Sequence, residues 1–164
     1  MGILLCAISF VEDSTLGATD PINVRETLKG LHAVAVLLKA EETCRQGLND
    51  RLLRTNIELQ LRQAGIRVLD TREEPVVEPA LLVDVWCYRV ESREVDVVAF
   101  AFQARRRRRV FWPNPHTEIL ATTWHSDNVI GTSPKSGLGE FLSSSVRNVI
   151  NQFINDWLAV NPTK

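Results

Sequence analysis

Five consecutive arginines, Arg105 to Arg109, stand out from the rest of the chain. Adjacent guanidinium groups repel one another, and they cannot all be buried without partners. On a strand the run splits by parity. Arg105, Arg107 and Arg109 share one face, and Arg106 and Arg108 share the other with Phe100, Phe102, Val110 and Trp112. If that second face is the core, Arg106 and Arg108 lie where the strand leaves the cover of the helices. Such a run can bind phosphates, nucleic acid or anionic lipid head groups. Phe111 and Trp112 add stacking surfaces for exposed bases. The candidate binding residues are then Arg105, Arg106, Arg107, Arg108, Arg109 and Trp112. The competing reading is a solvated strand end whose arginines pair with Glu73, Glu74, Glu78, Glu91 or Glu94 and guard an edge against aggregation. We favour the edge guard. On that reading, exchanging Arg105, Arg107 and Arg109 for glutamine changes stability little.

Other chemistry-bearing residues converge less. Cys44 and Cys87, with His32, His116 and His125, supply the residue types of a nucleophile and base, but without a local motif. Cys87 falls in an apolar run and reads as a small core residue. His116 and His125, with Asp127 near, can face each other across a hairpin around a divalent metal, although solvated histidines are the simpler reading. Glu73 with Glu74, and Glu94 with Asp96, sit in or beside polar turns, where neither carboxyl is desolvated for acid/base work. Gly137-Leu138-Gly139 precedes a helix but lacks the lysine and serine of a phosphate loop. Ser143 to Ser145 has no nucleophile-elbow residues around it. The expectation is a protein that is not an enzyme, with no catalytic residues, no bound metal and no cofactor.

The chain of 164 residues carries 19 basic and 20 acidic side chains, so overall charge of −1 predicts no polyanion partner. Apolar residues at 45% and charged residues at 24% are ordinary for a folded domain. Three cysteines, Cys6, Cys44 and Cys87, are too few and too scattered for a disulfide framework or a metal knuckle. No stretch reaches the ~20 apolar residues of a membrane span.

The first 27 residues read as a leader or linker. Ile3 to Val11 has the length of an export-signal core, with Leu16-Gly17-Ala18 placed for cleavage. Nothing basic precedes it, and Glu12 and Asp13 follow at once. Residues 20–30 are mixed and polar, the pattern of a linker. Residues 28–162 form a single domain. Leu31 to Leu38 is a buried strand, and 39–47 a loop. A helix runs from an Asn49 or Asp50 cap to about Ala64, with Leu53, Ile57, Leu61 and Ala64 on one face and Leu52 and Leu59 widening it. Gly65 closes it. Short strand 66–69, loop 71–79, strand 80–90, turn 91–94, strand 95–104, more strand at 110–112 and strand 119–124 follow. Residues 126–139 read as loop. A last helix from about Gly139 to Val160 carries Leu142, Val146, Val149, Ile150, Phe153, Ile154, Trp157 and Leu158 on a wide stripe. The fold class is α+β: a two-layer sandwich with a mixed, largely antiparallel sheet of about 4–5 strands and two amphipathic helices on one face.

This order resembles small bacterial cell-envelope domains of the type seen in the amino-terminal domain of TolB and in the lipoprotein LptE, and related uncharacterised bacterial proteins. The likeness lies in the apolar strand His32–Leu38 and in the phrase Leu61-Arg62-Gln63-Ala64-Gly65-Ile66-Arg67-Val68. Ala121-Thr122-Thr123-Trp124 and the stretch from Val149 to Pro162 complete it. The resemblance implies a non-catalytic assembly or interaction role in the envelope or periplasm, with another protein as partner. The cytoplasm is the alternative if residues 1–18 are no export signal. The alternative function is binding of nucleic acid or anionic lipid through the arginine run.

Overall fold

The computed structural model describes residues 23–45, 47–70, 79–90, 96–112 and 117–162, except the side chains of 110–112 and 117–118. They form an α+β sandwich: a six-stranded mixed sheet in the order β2-β1-β3-β4-β5, with β6 also on β4. The strands are β1 (Ala33–Ala40), β2 (Arg67–Leu69), β3 (Ala80–Val90), β4 (Val97–Trp112), β5 (Thr117–His125) and β6 (Val129–Pro134). The helices are α1 (Glu42–Arg45), α2 (Asp50–Gln63) and α3 (Leu138–Val160), and a 3-10 helix covers Val24–Leu28. β1 runs parallel to both β2 and β3, and β4 is antiparallel to β3, β5 and β6.

Alternation decides which side chains the helices cover. Val34 and Val36 of β1, Leu81, Val83, Val85 and Cys87 of β3, and Val98, Phe100, Phe102 and Ala104 of β4 belong to the core. α2 and α3 close over them. The Asn49 side chain accepts from the Leu52 amide at 3.0 Å and starts α2. Gly65, at φ +90°, lets the chain turn out of α2, and the Ile66 amide returns to the Leu61 carbonyl at 2.9 Å. Leu53, Ile57 and Leu61 are buried, but Leu52 and Leu59 are about half exposed and do not widen the packed face. On α3 the buried stripe is Leu142, Val146, Val149, Ile150, Phe153 and Trp157, while Leu158 remains partly open. Phe153 meets Trp124 of β5 edge-on, with ring centroids 4.9 Å apart.

Three segments depart from the sequence reading. Residues 126–139 contain β6, so they are not a continuous loop. β5 and β6 pair with successive parts of one edge of β4, interrupted only by 126–128. Ser126 stitches the gap: its hydroxyl accepts from the Ala104 amide at 3.1 Å, and its own amide donates to the Ala104 carbonyl at 2.9 Å. Residues 24–28, read as linker, form the 3-10 helix with Leu28 fully buried. Residues 42–45, read as loop, form α1, whose Cys44 bonds to Cys87 of β3, with the two Cα atoms 5.2 Å apart. Scattered cysteines therefore do not make a framework, yet two of them close a staple across 43 residues of sequence.

Because Phe153 is fully buried and its ring packs on Trp124, Phe153→Ala removes core volume that nothing nearby can replace. Such truncations cost about 3–5 kcal/mol, a large part of a domain's stability. Thermal and urea unfolding should show a loss of that size; a melting temperature equal to that of the parent would contradict this packing.

Candidate anion-binding cleft beside the arginine strand

The five arginines form one continuous stretch of β4, but they do not share one environment. Arg105 lies on the sheet face away from the helices and pairs with the Asp84 carboxylate of β3. Asp84 is only 3% exposed, so this is a largely desolvated pair rather than a surface contact. For Arg105 the partner is thus a strand aspartate and not a turn glutamate; the expected partners of the run, Glu73, Glu74, Glu78, Glu91 and Glu94, lie outside the described residues. Arg106 continues the core face after Phe100, Phe102 and Ala104, and is 5% exposed. The strand has not yet left its cover there, because the 3-10 helix takes over where α3 no longer reaches. Arg106 Nη1 donates to the Thr27 carbonyl at 2.6 Å and to Thr123 Oγ1 at 3.0 Å. A register shift in the β4–β5 pairing falls between Arg106 and Arg107, and Thr123 is the β5 residue left without a cross-strand partner. Arg106 Nε has no hydrogen-bond partner. Burial first, and the Arg108 charge second, lower the Arg106 pKa from its usual range.

Arg107 is half-buried, opposite Ala80 on one side and Thr122 on the other. Arg108 and Arg109 are exposed. Trp112 ends β4 opposite Thr117, and its side chain, like that of Phe111, lies outside the described residues. Among the described residues β3 starts opposite Arg107, so β4 and β5 continue past it as a two-stranded arm.

A cleft of about 480 Å³ opens where that arm leaves the sheet. Lys29, Gly30, Leu31, His32 and Ala33, from the segment that leads into β1, line it together with Pro79, Arg106, Arg108 and Arg109. Four permanent cations and one histidine line it, and none of its described lining residues is acidic. The sequence reading assigned no role to Lys29 and weighed His32 only among the residue types of a catalytic base. Both lie at the junction of apparent linker and first strand, and only the topology of β1 beside β3 brings them to the arginines.

The wall carrying Lys29 is held in place. Gly30, at φ +71°, makes the turn, and its amide donates to Asn161 Oδ1 at 2.7 Å. Asn161 Nδ2 donates to the Leu28 carbonyl at 3.0 Å, and Trp157 Nε1 to the Leu31 carbonyl at 2.6 Å. Arg25 Nε pairs with Asp156 Oδ1 at 2.7 Å, and Trp124 Nε1 donates to Asp156 Oδ2 at 3.1 Å. The C-terminal turns of α3 thus fix the segment that borders the cleft.

Of the other sequence candidates, Cys44 and Cys87 are joined in the disulfide, and Glu73, Glu74 and Glu94 lie outside the described residues. His116 lies outside the described residues, and His125 Nδ1 sits 3.1 Å from the Ser126 carbonyl oxygen. Among the described residues, no three His, Cys, Asp or Glu side chains are placed to hold a metal. Gly139 lies within α3, not in a loop, and a Cβ there would strike the Gly47 carbonyl. The Ser143 and Ser144 hydroxyls bond back to helix carbonyls, at 2.7 and 3.0 Å. No helix among the described residues is long and apolar enough to cross a membrane.

No protein-family model and no curated protein matches the chain. Among solved structures it is similar to a neuraminyllactose-binding hemagglutinin homolog from Helicobacter pylori. That likeness has 13% identity and a TM-score of 0.41, covering 78% of this chain and 83% of the other.

The environments rank the arginines for stability. Arg105→Ala leaves Asp84 buried without its guanidinium, a situation that costs about 3–5 kcal/mol. Arg107→Gln should cost no more than about 0–1 kcal/mol. Urea denaturation of the two variants separates them; equal midpoints would show that Asp84 does not depend on Arg105.

Proposed function

We infer that the protein is a non-catalytic interaction domain of an oxidising compartment, acting in the bacterial cell envelope like the domains its sequence resembles. The observation that carries this reading is the Cys44–Cys87 disulfide, closed inside the core with Cys44 fully buried. Structural disulfides persist in the periplasm and outside the cell and are rare in the cytosol. The interaction part rests on the sheet face opposite the helices. There Trp86 and Tyr88 of β3 lie beside Ile130 of β6 across β4, with Tyr88 75% and Ile130 77% exposed. Leu37 and Val90 extend the same face. Exposed aromatic and aliphatic side chains gathered on one face are the usual anchors of a protein contact. The alternative, an extended nucleic-acid or lipid track along Arg105 to Arg109, has fewer charges at its disposal. Arg105 is held by Asp84 and Arg106 by the 3-10 helix and β5.

Acid-quenched thiol labelling in the native cell tests the compartment. Cys44 and Cys87 should be unreactive before reduction and reactive after it. Two free thiols in freshly quenched cells would sink the assignment. Closing a loop of 43 residues is worth about 4 kcal/mol on the chain-entropy estimate, so reduction should lower the melting temperature clearly. For the interaction surface, a photo-crosslinking residue at position 88 should capture a protein that the same probe at exposed Leu59 of α2 does not. Identical adducts at both positions, or none, would remove the open face from the proposal.

A further inference from the structure

We propose that the cleft between Lys29–Ala33 and Arg106–Arg109 binds one compact phosphate-class anion, a phosphate monoester or diphosphate group attached to a larger molecule. This goes beyond the interaction role and does not depend on the compartment. Three features point to it.

The first is charge that no acidic side chain among the described lining residues balances. Arg106 sits in the core face with only neutral oxygens, Thr27 O and Thr123 Oγ1, as its acceptors. Its Nε is buried and has no hydrogen-bond partner. Lys29 and Arg108 add two more cations at the same opening. Bringing like charges together at a half-desolvated site raises the energy of each, and an anion in the cleft relieves all of them at once.

The second is chemistry. Guanidinium forks match the oxygens of a phosphate two at a time, while an ammonium supplies a compact point charge. Arg108 and Lys29 come from separate elements, β4 and the segment ahead of β1, and cations gathered from both suit a group with several anionic oxygens better than a carboxylate with two. The cleft is larger than one phosphate and falls within the ~300–1,000 Å³ range of small-molecule sites, leaving room for part of the attached molecule.

The third is preorganisation. Asn161 and Trp157 fix the Lys29 wall through Gly30, Leu28 and Leu31. β5 fixes the arginine wall through its pairing with β4. A site whose walls are already held loses less entropy on binding.

Calorimetric titration of the full chain with inorganic pyrophosphate and with methyl phosphate tests the proposal. Saturable binding with about one anion per chain is expected, with pyrophosphate the tighter. Arg108→Gln and Lys29→Gln should each weaken it about tenfold or more, since each removes a charge-assisted contact. Lys135→Gln, at the far end of β6, should leave it unchanged. Both cleft substitutions are at surface positions, and circular dichroism confirms that the variants remain folded. Phosphatidic acid vesicles distinguish the sources. Co-sedimentation that Arg108→Gln abolishes assigns a lipid head group; methyl phosphate binding without co-sedimentation assigns a soluble ester. No saturable binding of either anion up to ~10 mM at low salt, a range corresponding to negligible affinity, would overturn the proposal. So would affinity in both cleft variants unchanged from that of the unmodified protein, or binding confined to single-stranded nucleic acid with a steep salt dependence.

Discussion

A guanidinium in the core dictates how one end of this fold is built. The face of β4 that carries Val98, Phe100, Phe102 and Ala104 to the helices carries Arg106 next. A cation in that position requires acceptors, because transfer of an unpaired charge from water to an apolar setting costs far more than a domain's net stability. Two departures from regular structure supply them. The Thr27 carbonyl comes from the 3-10 helix, and Thr123 Oγ1 comes from the residue where the β4–β5 register shifts. The 3-10 helix must therefore lie where it does, and α3 holds it there through Asp156, Trp157 and Asn161. Asp156 joins both halves of the arrangement, since one oxygen takes Arg25 and the other takes Trp124 of β5. The cleft borders this same assembly, so its positive lining follows from how the core ends.

Charge is handled differently on the opposite face. Asp84 lies deep in the sheet and meets Arg105 directly. A buried pair of this kind adds little compared with two apolar residues of the same size, but breaking it is expensive. One arginine is thus bound to a carboxylate, its neighbour to neutral oxygens, the third is half-buried, and the last two are exposed. The identical side chains differ because β4 alternates faces, because β3 among the described residues begins only at Ala80, and because β5 shifts register at Thr123.

The legible parts of the sequence were those governed by local periodicity. Leu53, Ile57 and Leu61 gave α2, the Leu142-to-Trp157 stripe gave α3, and Val83, Val85, Trp86 and Tyr88 marked β3, whose ends agree at Ala80 and Val90. The parity of the arginines was legible too, including the placement of Arg106 with Phe100 and Phe102. What escaped depends on distant residues. β6 contains Gly131 and Pro134, which read as loop. Gly131 is required because a Cβ there would come within 2.6 Å of Phe100 Cζ, so the glycine makes room for an aromatic ring of the neighbouring strand. Nothing local announces that Cys44 and Cys87 meet across 43 residues, that Asp84 faces Arg105, or that Thr27 reaches Arg106 across 79.

The candidate site was half legible for the same reason. A run of arginines is visible in one glance, and its usual interpretation is a basic track in which every charge acts alike. The fold removes that equivalence. Arg105 and Arg106 are held within the domain, while Arg108 and Arg109 meet Lys29 and His32, which lie more than seventy residues earlier in the chain. An extended polyanion needs cations repeated along its length, whereas a compact anion needs them converging from several sides. β1 lies beside β3, and β3 beside β4, so the segment that leads into β1 borders the arm of β4. Convergence at this corner is therefore a property of the sheet order, and it gives the arginine strand a single focal site instead of a line of equivalent charges.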